Sequence, residues 1–202
     1  MMPAPDRSSL RRRRRALTTP ERKDAALAAA NRLVSHLCFV RARHLGFYVA
    51  SDGELDPAPL MMAAAGRGKH CYLPVISDRL MSWRTAPLTF APYDPYMDDL
   101  AVNRFGILEP TWNPHHMTPP AMLDIVFVPL VGFDRKGNRV GMGKGFYDRT
   151  LANLHRGFRR PKLIGLAYEF QELDGIDPNP WDVGLDAVAT ASEWIPVSRG
   201  LR

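Results

Sequence analysis

Asp124-Ile125-Val126-Phe127-Val128-Pro129-Leu130-Val131 is the most apolar stretch of the chain, and it runs straight into Gly132-Phe133-Asp134-Arg135-Lys136-Gly137-Asn138-Arg139. A short apolar run without alternation marks a strand buried on both faces, as in parallel sheets covered by helices. Working outward, residues 146–154 read as a helix, 162–168 as a further strand and 187–190 as a last short one. Upstream, residues 44–50 and 70–76 read as strands around a helix at 57–66 that ends on glycine, which makes a β-α-β unit. Residues 81–86 add another strand, and 87–120, rich in Pro, Asp and His, read as a long connecting excursion. Two helices precede all of this. One covers 7–17; the other opens on a Thr18/Glu21 capping box with Pro20 in its first turn, and stripes Ala26, Leu27, Ala30, Leu33, Val34 and Leu37 along one face. The expected fold is therefore α/β: a single three-layer domain over 1–202, with a mainly parallel central sheet and helices on both faces.

Charge is informative once located. Residues 1–23 carry eight of the 27 Lys and Arg and two of the 21 Asp and Glu, so the formal charge of +6 belongs to one terminal segment on a neutral body. Any anion gripped by the body is therefore small, and a nucleic acid would depend on that segment alone. No apolar run approaches the roughly 20 residues of a membrane span, and no apolar core follows the basic residues as a secretory signal needs. Cys38 and Cys71, 33 positions apart, read as two buried thiols in a reducing compartment. A cytoplasmic protein is expected.

The chemistry lies after the apolar strand, in Gly141-Met142-Gly143-Lys144-Gly145-Phe146-Tyr147-Asp148-Arg149. Alternate glycines leave backbone N–H groups unobstructed ahead of a helix, and Arg135, Lys136, Arg139, Lys144 and Arg149 outnumber Asp134 and Asp148 by three. Spacing alone leaves two readings open, a phosphate cradle and a glycine-rich hairpin needed only for its turn. Neither GxxxxGK[ST] nor GxGxxG is present.

The pattern Asp134-x-x-Gly137-x-Arg139-x-Gly141-x-Gly143-x-Gly145-x-Tyr147-Asp148 resembles the signature of the 5-formyltetrahydrofolate cyclo-ligase (methenyltetrahydrofolate synthetase) family. Shorter matches extend the resemblance over most of the chain: Arg7-x-x-Leu10-Arg11, Asp52-Gly53-Glu54-Leu55-Asp56, Phe105-Gly106-Ile107-x-Glu109-Pro110, Trp181-Asp182 and Val188-x-Thr190. It implies an ATP-dependent, Mg²⁺-requiring closure of 5-formyltetrahydrofolate to 5,10-methenyltetrahydrofolate with release of ADP and phosphate, through a phosphorylated formyl (iminium phosphate) intermediate. By the same resemblance Arg7, Arg11, Arg139, Gly141, Met142, Gly143, Lys144, Gly145, Phe146 and Tyr147 contact ATP, and Asp148 holds Mg²⁺. Tyr147, Arg139 and Lys144 stand at catalytic positions. Glu54 faces the pterin, and Tyr48, Val49, Met81, Trp83 and Phe105 wall the folate pocket.

Two departures from the family pattern stand out. Phe146 replaces the first tyrosine of a common Tyr-Tyr-Asp, and Pro129-Leu130 replaces a common Pro-Gly. Arg12 to Arg14 are expected to form a solvated basic face, and adjacent His115-His116 lack the partners of a metal site. The partners implied are two small molecules, met by a monomer with neither nucleic acid nor membrane. The competing readings are a family paralogue using ATP on another substrate, and a nucleic-acid binder with Arg11 to Arg15 as a basic arm.

Overall fold

The computed structural model describes residues 6–76, 88–103, 108–111, 113–143, 145–152 and 160–198. The strand expected at 81–86 lies outside them, as do Met81, Trp83, Phe105 and Lys144. The helices are α1 (Arg7–Ala16), α2 (Thr19–Val34), α3 (Leu37–Arg41), α4 (Ala58–Ala65) and α5 (Phe146–Leu151). The strands are β1 (His44–Gly46), β2 (His70–Ile76), β3 (Leu88–Pro92), β4 (Leu100–Val102), β5 (Leu108–Pro110), β6 (Ile125–Val128), β7 (Gly132–Phe133), β8 (Arg139–Val140), β9 (Lys162–Leu166), β10 (Ala187–Ala189) and β11 (Trp194–Pro196).

All four residues of β6 are buried, and β6 pairs in parallel with β1 on one side and β9 on the other. The seven-stranded sheet runs β11-β10-β9-β6-β1-β2-β3, with the outermost pairs β2–β3 and β10–β11 antiparallel and the rest parallel. Successive residues of β6 feed opposite layers, as a strand must. Ile125 and Phe127 pack with Ala29, Ala30 and Leu33 of α2, Phe39 of α3, and Leu60 and Ala64 of α4. Val126 and Val128 pack with Leu151 of α5 and with Val183 and Leu185 of an irregular segment. Helices therefore cover both faces, the second more thinly among the described residues. None of these helices is long and apolar enough to cross a membrane.

The Thr18/Glu21 capping box forms as expected, with Thr18 N donating to Glu21 Oε2 at 2.7 Å. The apolar stripe needs correction. Leu27 and Leu37 are 51% and 57% exposed, and Ala29 is buried instead. α2 stops at Val34 with Ser35 as its cap, so its period does not carry through to Leu37, which opens α3. Cys71 is buried but Cys38 only half so. The excursion at 87–120 contains more structure than its composition implies: β3 forms a sheet edge, and β4 pairs with β5 in a separate hairpin.

α1 docks on the turn that follows β1. Arg11, Arg14 and Arg15 share one helical face by their three- and four-residue spacing, and all three bond the Asp52 carboxylate, Arg11 Nε at 2.7 Å and Arg14 Nη2 at 2.9 Å. Arg14 is fully buried, which overturns its expected solvation; Arg12 is exposed, and exposed Arg13 stacks its guanidinium 4.4 Å from the Phe170 ring centroid. The cause is geometric. Leu10, one turn before Arg14, packs toward Gly132, where a Cβ would come within 3.1 Å of Leu10 Cδ1, and this turns the same face of α1 inward.

Two outcomes follow from these packings. Gly137 has φ +84°, and a Cβ there would stand 2.8 Å from the Leu185 carbonyl oxygen. Gly137→Ala is expected to destabilise the protein by about 2 kcal/mol and to lower Tm by roughly 4–8 °C in thermal unfolding. For Asp52, burial works to raise the carboxyl pKa, but hydrogen bonds from Arg11 and Arg15 and the charges of Arg11 and Arg14 outweigh it and hold the group at about 2 instead of 3.8. Its stabilising effect is thus complete above pH 3.8 and is lost as pH falls toward about 2. Denaturant midpoints measured across that window should fall less steeply in Asp52→Asn than in the wild type.

Candidate active site

Between β1 and β6 the chain order reverses: β1 leads outward to β2, while β6 leads to β9 and β10 on the other side. Crevices at such switch points, outside the carboxyl ends of the strands, are where open α/β sheets take ligands. The segments leaving β1 and β6 are the Asp52–Glu54 turn and the loop from Leu130 to Tyr147, so the two stretches singled out in the sequence meet here.

On the β1 side, Ser51 N and Oγ donate to Glu54 Oε2 at 3.0 and 3.4 Å. Glu54 Oε1 stands 3.9 Å from Arg14 Nη1, at ion-pair range, and accepts no hydrogen bond among the described residues. Glu54 is 8% exposed. Burial raises its carboxyl pKa and Asp52 adds to that, against the lowering effect of Ser51 and Arg14. Tyr48 is buried and donates its hydroxyl to the Leu55 carbonyl at 2.5 Å; Val49 is half-buried beside it.

On the β6 side the glycine-rich motif divides in two. Its first half is architectural. Asp134, 1% exposed, accepts from the N–H groups of Lys136 (3.0 Å), Asn138 (2.8 Å) and Ile176 (3.0 Å) and from Asn138 Nδ2 (2.9 Å), tying the β7–β8 turn. The hairpin reading left open by the spacing therefore holds for this first half. The second half carries arginines across backbone glycines: a Cβ at Gly141 would meet Arg139 Nη1 at 3.2 Å, at Gly143 Arg7 Nη1 at 3.6 Å, and at Gly145 Arg149 Nη1 at 2.9 Å. Gly143 and Gly145 also need their left-handed φ of +88° and +64°. Arg149 was counted from sequence toward the local charge but given no site role, although its place four residues after Gly145 was a usable signal.

Arg139 Nη2 donates to Asp148 Oδ1 at 2.5 Å, and Val183 N donates to the same oxygen at 3.2 Å. Tyr147 packs against the core on the α5 side, with Ile76 and Leu88 among its neighbours. Burial raises its phenol pKa, with the Glu54 charge adding and the Arg139 charge opposing. Met142 is 42% exposed with its sulfur 3.9 Å from Arg14 Nη2, and Phe146 packs on Ile76 and Leu88 beneath Arg149. Leu130, at the departure from Pro-Gly, turns into the core over Gly165 and leaves its carbonyl to Arg14 and to buried Gln171, at 3.1 Å each. Sequence reasoning missed Gln171, because a glutamine carries no signal until its two carbonyl partners at residues 130 and 131 are brought to it.

Mg²⁺ commonly keeps several waters and takes one or two carboxylates plus phosphate oxygens. Asp148 offers one oxygen beyond its bonds to Arg139 and Val183, and no cluster of three His, Cys, Asp or Glu able to hold a metal exists among the described residues. The donor set thus fits a Mg²⁺ shared with a phosphate ligand and does not fit an ion held by protein alone. An open 350 Å³ depression lined by His36, Cys38, Arg41, Asp124 and Lys162 lies at the opposite, N-terminal end of the strands. Burial raises the Cys38 thiol pKa there, and the depression lies apart from the convergence described above.

Comparison with known proteins gives a consistent result. A 5-formyltetrahydrofolate cyclo-ligase family model matches residues 5–191. The 5-formyltetrahydrofolate cyclo-ligase of Escherichia coli K12 is 37% identical over 188 residues, covering 92% of this chain and all of the relative. That of Haemophilus influenzae is 35% identical over 179 residues, covering 89% and 92%. Among solved structures, the NMR structure of Aquifex aeolicus 5,10-methenyltetrahydrofolate synthetase superposes with a TM-score of 0.78 at 26% identity, over 97% of this chain and 93% of that one. The corresponding Mycoplasma pneumoniae enzyme gives 0.68 at 25% identity, over 93% and 99%. Because the match runs through both segments that meet at the switch point, the chain belongs to the 5-formyltetrahydrofolate cyclo-ligase family.

Proposed function

We propose that this protein catalyses the ATP-dependent cyclisation of 5-formyltetrahydrofolate to 5,10-methenyltetrahydrofolate, releasing ADP and phosphate. The observation that carries the reading is the meeting, across one switch point, of a buried carboxylate, one oxygen of which accepts no hydrogen bond among the described residues, and a glycine loop crossed by three arginines. A carboxylate so placed suits the amino and ring N–H donors of a pterin, and the arginines suit phosphates.

A formamide oxygen is a poor leaving group, so the γ-phosphoryl group of ATP is transferred to it, and ADP departs. N10 then attacks the activated carbon and gives up its proton, the C–O bond breaks, and phosphate leaves. Such chemistry asks the protein for positioning and for fixed cations around the moving charge. Arg7, Arg139 and Arg149 supply those cations along the loop at residues 141–145, and Arg11 stands one turn beyond Arg7. Lys144 adds a further charge by the family pattern. Glu54 orients the pterin against Tyr48 and Val49, with Met81, Trp83 and Phe105 as the remaining apolar wall by the same pattern. Tyr147, held neutral by its surroundings, orients the reacting groups between the two sides. Mg²⁺ held between Asp148 and the phosphates would neutralise charge on the transferred group. The protein acts on this reading as a cytoplasmic monomer with one catalytic domain. The engagement of Arg11, Arg14 and Arg15 by Asp52 speaks against a nucleic-acid arm.

The direct test is to incubate the purified protein with 5-formyltetrahydrofolate, Mg²⁺ and ATP and to follow the near-ultraviolet absorbance of the methenyl product. Growth that requires ATP, and that falls at least about a hundredfold in Asp148→Ala, is expected; ATP binding without product would replace the folate by another substrate. Glu54→Gln should raise KM for 5-formyltetrahydrofolate by roughly ten- to a hundredfold while changing KM for ATP less than about twofold. Equal losses in both would remove Glu54 from the pterin.

A further inference from the structure

A guanidinium out of contact with water is costly unless its donors are matched and its charge paired. Arg14 is among the bulkiest fully buried side chains of the protein, and its bonds go to three separate segments. Nε donates to the Asp52 carbonyl at 2.8 Å, Nη2 to Asp52 Oδ2 at 2.9 Å, and Nη1 to the Leu130 carbonyl at 3.1 Å, while Nη2 also faces Met142 Sδ at 3.9 Å. No face of it is left for a phosphate. What Nη1 does face, at 3.9 Å, is Oε1 of Glu54, whose other oxygen is held by Ser51.

We propose that Arg14 is a positioning residue for the reaction: it binds no phosphate, and it fixes Glu54 as a carboxylate with Oε1 open for the N–H edge of the pterin. This rests on the folate reading of Glu54 given above. It also divides the basic helix by function, since Arg7 lies along the nucleotide loop while Arg14 serves the other substrate from beneath.

The charged and titratable groups around Glu54 are Arg11 and Arg14 from α1, Asp52 from the turn, Tyr48 after β1, Tyr147 on α5 and Tyr168 after β9. The three phenols have raised pKa values and are neutral at physiological pH. Burial and Asp52 both oppose ionisation of Glu54, and the charge of Arg14 opposes them together with the Ser51 bonds. Removing the Arg14 charge must therefore move the titration of Glu54 to higher pH, so that the carboxylate, and with it folate binding, is lost earlier as pH falls.

The coupling can be read without substrate. Carbon-13 NMR of protein labelled at the glutamate side-chain carboxyl would follow Glu54, its signal assigned by its loss in Glu54→Gln. Arg14→Gln is expected to move the midpoint up by about one pH unit, and Arg14→Lys to move it by no more than a few tenths. The acid limb of kcat/KM for 5-formyltetrahydrofolate should move with the midpoint in Arg14→Gln, with KM for ATP within about twofold of wild type. A wild-type midpoint in Arg14→Gln overturns the proposal, and so does an unmoved acid limb accompanied by a raised KM for ATP. If Arg14→Gln does not fold, Arg14→Lys decides, because lysine keeps the charge but lacks the fork that reaches several acceptors. A KM raised roughly threefold or more for 5-formyltetrahydrofolate alone supports the proposal, and one raised for ATP alone, for both equally or for neither overturns it. An inactive wild type that still shows the shift would refute the cyclo-ligase reading and leave the Arg14–Glu54 coupling established.

Discussion

Arg14 cannot be buried unless Asp52 is where it is, and much of the site follows from that requirement. To accept from Nε with its carbonyl and from Nη2 with its carboxylate, Asp52 takes a left-handed φ of +52°, unusual for a residue with a side chain. Gly53 follows with φ +74°, and a Cβ there would strike the Arg14 carbonyl oxygen at 2.9 Å. The turn is thereby pressed against α1, and Glu54, the next residue, is held at the switch point with its backbone N–H bonded to the Ser51 carbonyl at 2.9 Å. Backbone strain of this kind persists where the surroundings over-determine it. Here three arginines from one helix do so.

The same guanidinium reaches the Leu130 carbonyl at the end of β6, so α1 spans both sides of the switch point. Gln171 completes the arrangement, donating to the Leu130 and Val131 carbonyls just as the chain leaves the sheet for the β7–β8 hairpin. The open end of the central strands is thus closed by side-chain donors drawn from α1 and from the segment after β9. This gives the glycine loop a fixed base, since the hairpin below it is tied by Asp134 and the loop itself begins at β8.

The sheet was largely legible because buried parallel strands announce themselves: β2 and β6 are runs of apolar and β-branched residues bounded by turn formers, and the α4 boundary is written in Pro57 and Gly66. β3 was not legible. Its five residues include a terminal proline, and they become a strand because β2 offers them a free edge. Where the two segments converge, residues tied to a local pattern could be singled out from sequence, among them Arg139, Gly143, Tyr147 and Glu54. Arg14 was misjudged because arginine is rarely buried, and a run of five arginines reads as a solvated face. The partners that bury it lie 38 and 116 positions away, beyond any local pattern. Leu10 and Arg14 at one-turn spacing, ahead of a distant Asp-Gly turn, were the available signal, and it is a weak one.

The alternate glycines acquire a sharper reason than backbone freedom in general. Each of Gly141, Gly143 and Gly145 has a different arginine where its Cβ would be or beside it, so the loop is lined by cations that come from β8, α1 and α5 in turn. Arginines held this close would repel one another were they not separately restrained: Arg139 is paired with Asp148, and Arg149 lies against the Phe146 ring at 5.3 Å. Arg7 extends from the first turn of α1, a helix fixed farther along by Arg11, Arg14 and Arg15. A phosphate chain entering the loop would meet positions prepared from three elements, and the one contributed by α1 depends on the anchor at Asp52. The nucleotide and folate halves of the proposed reaction therefore share a physical part, the docking of a ten-residue helix on a single turn.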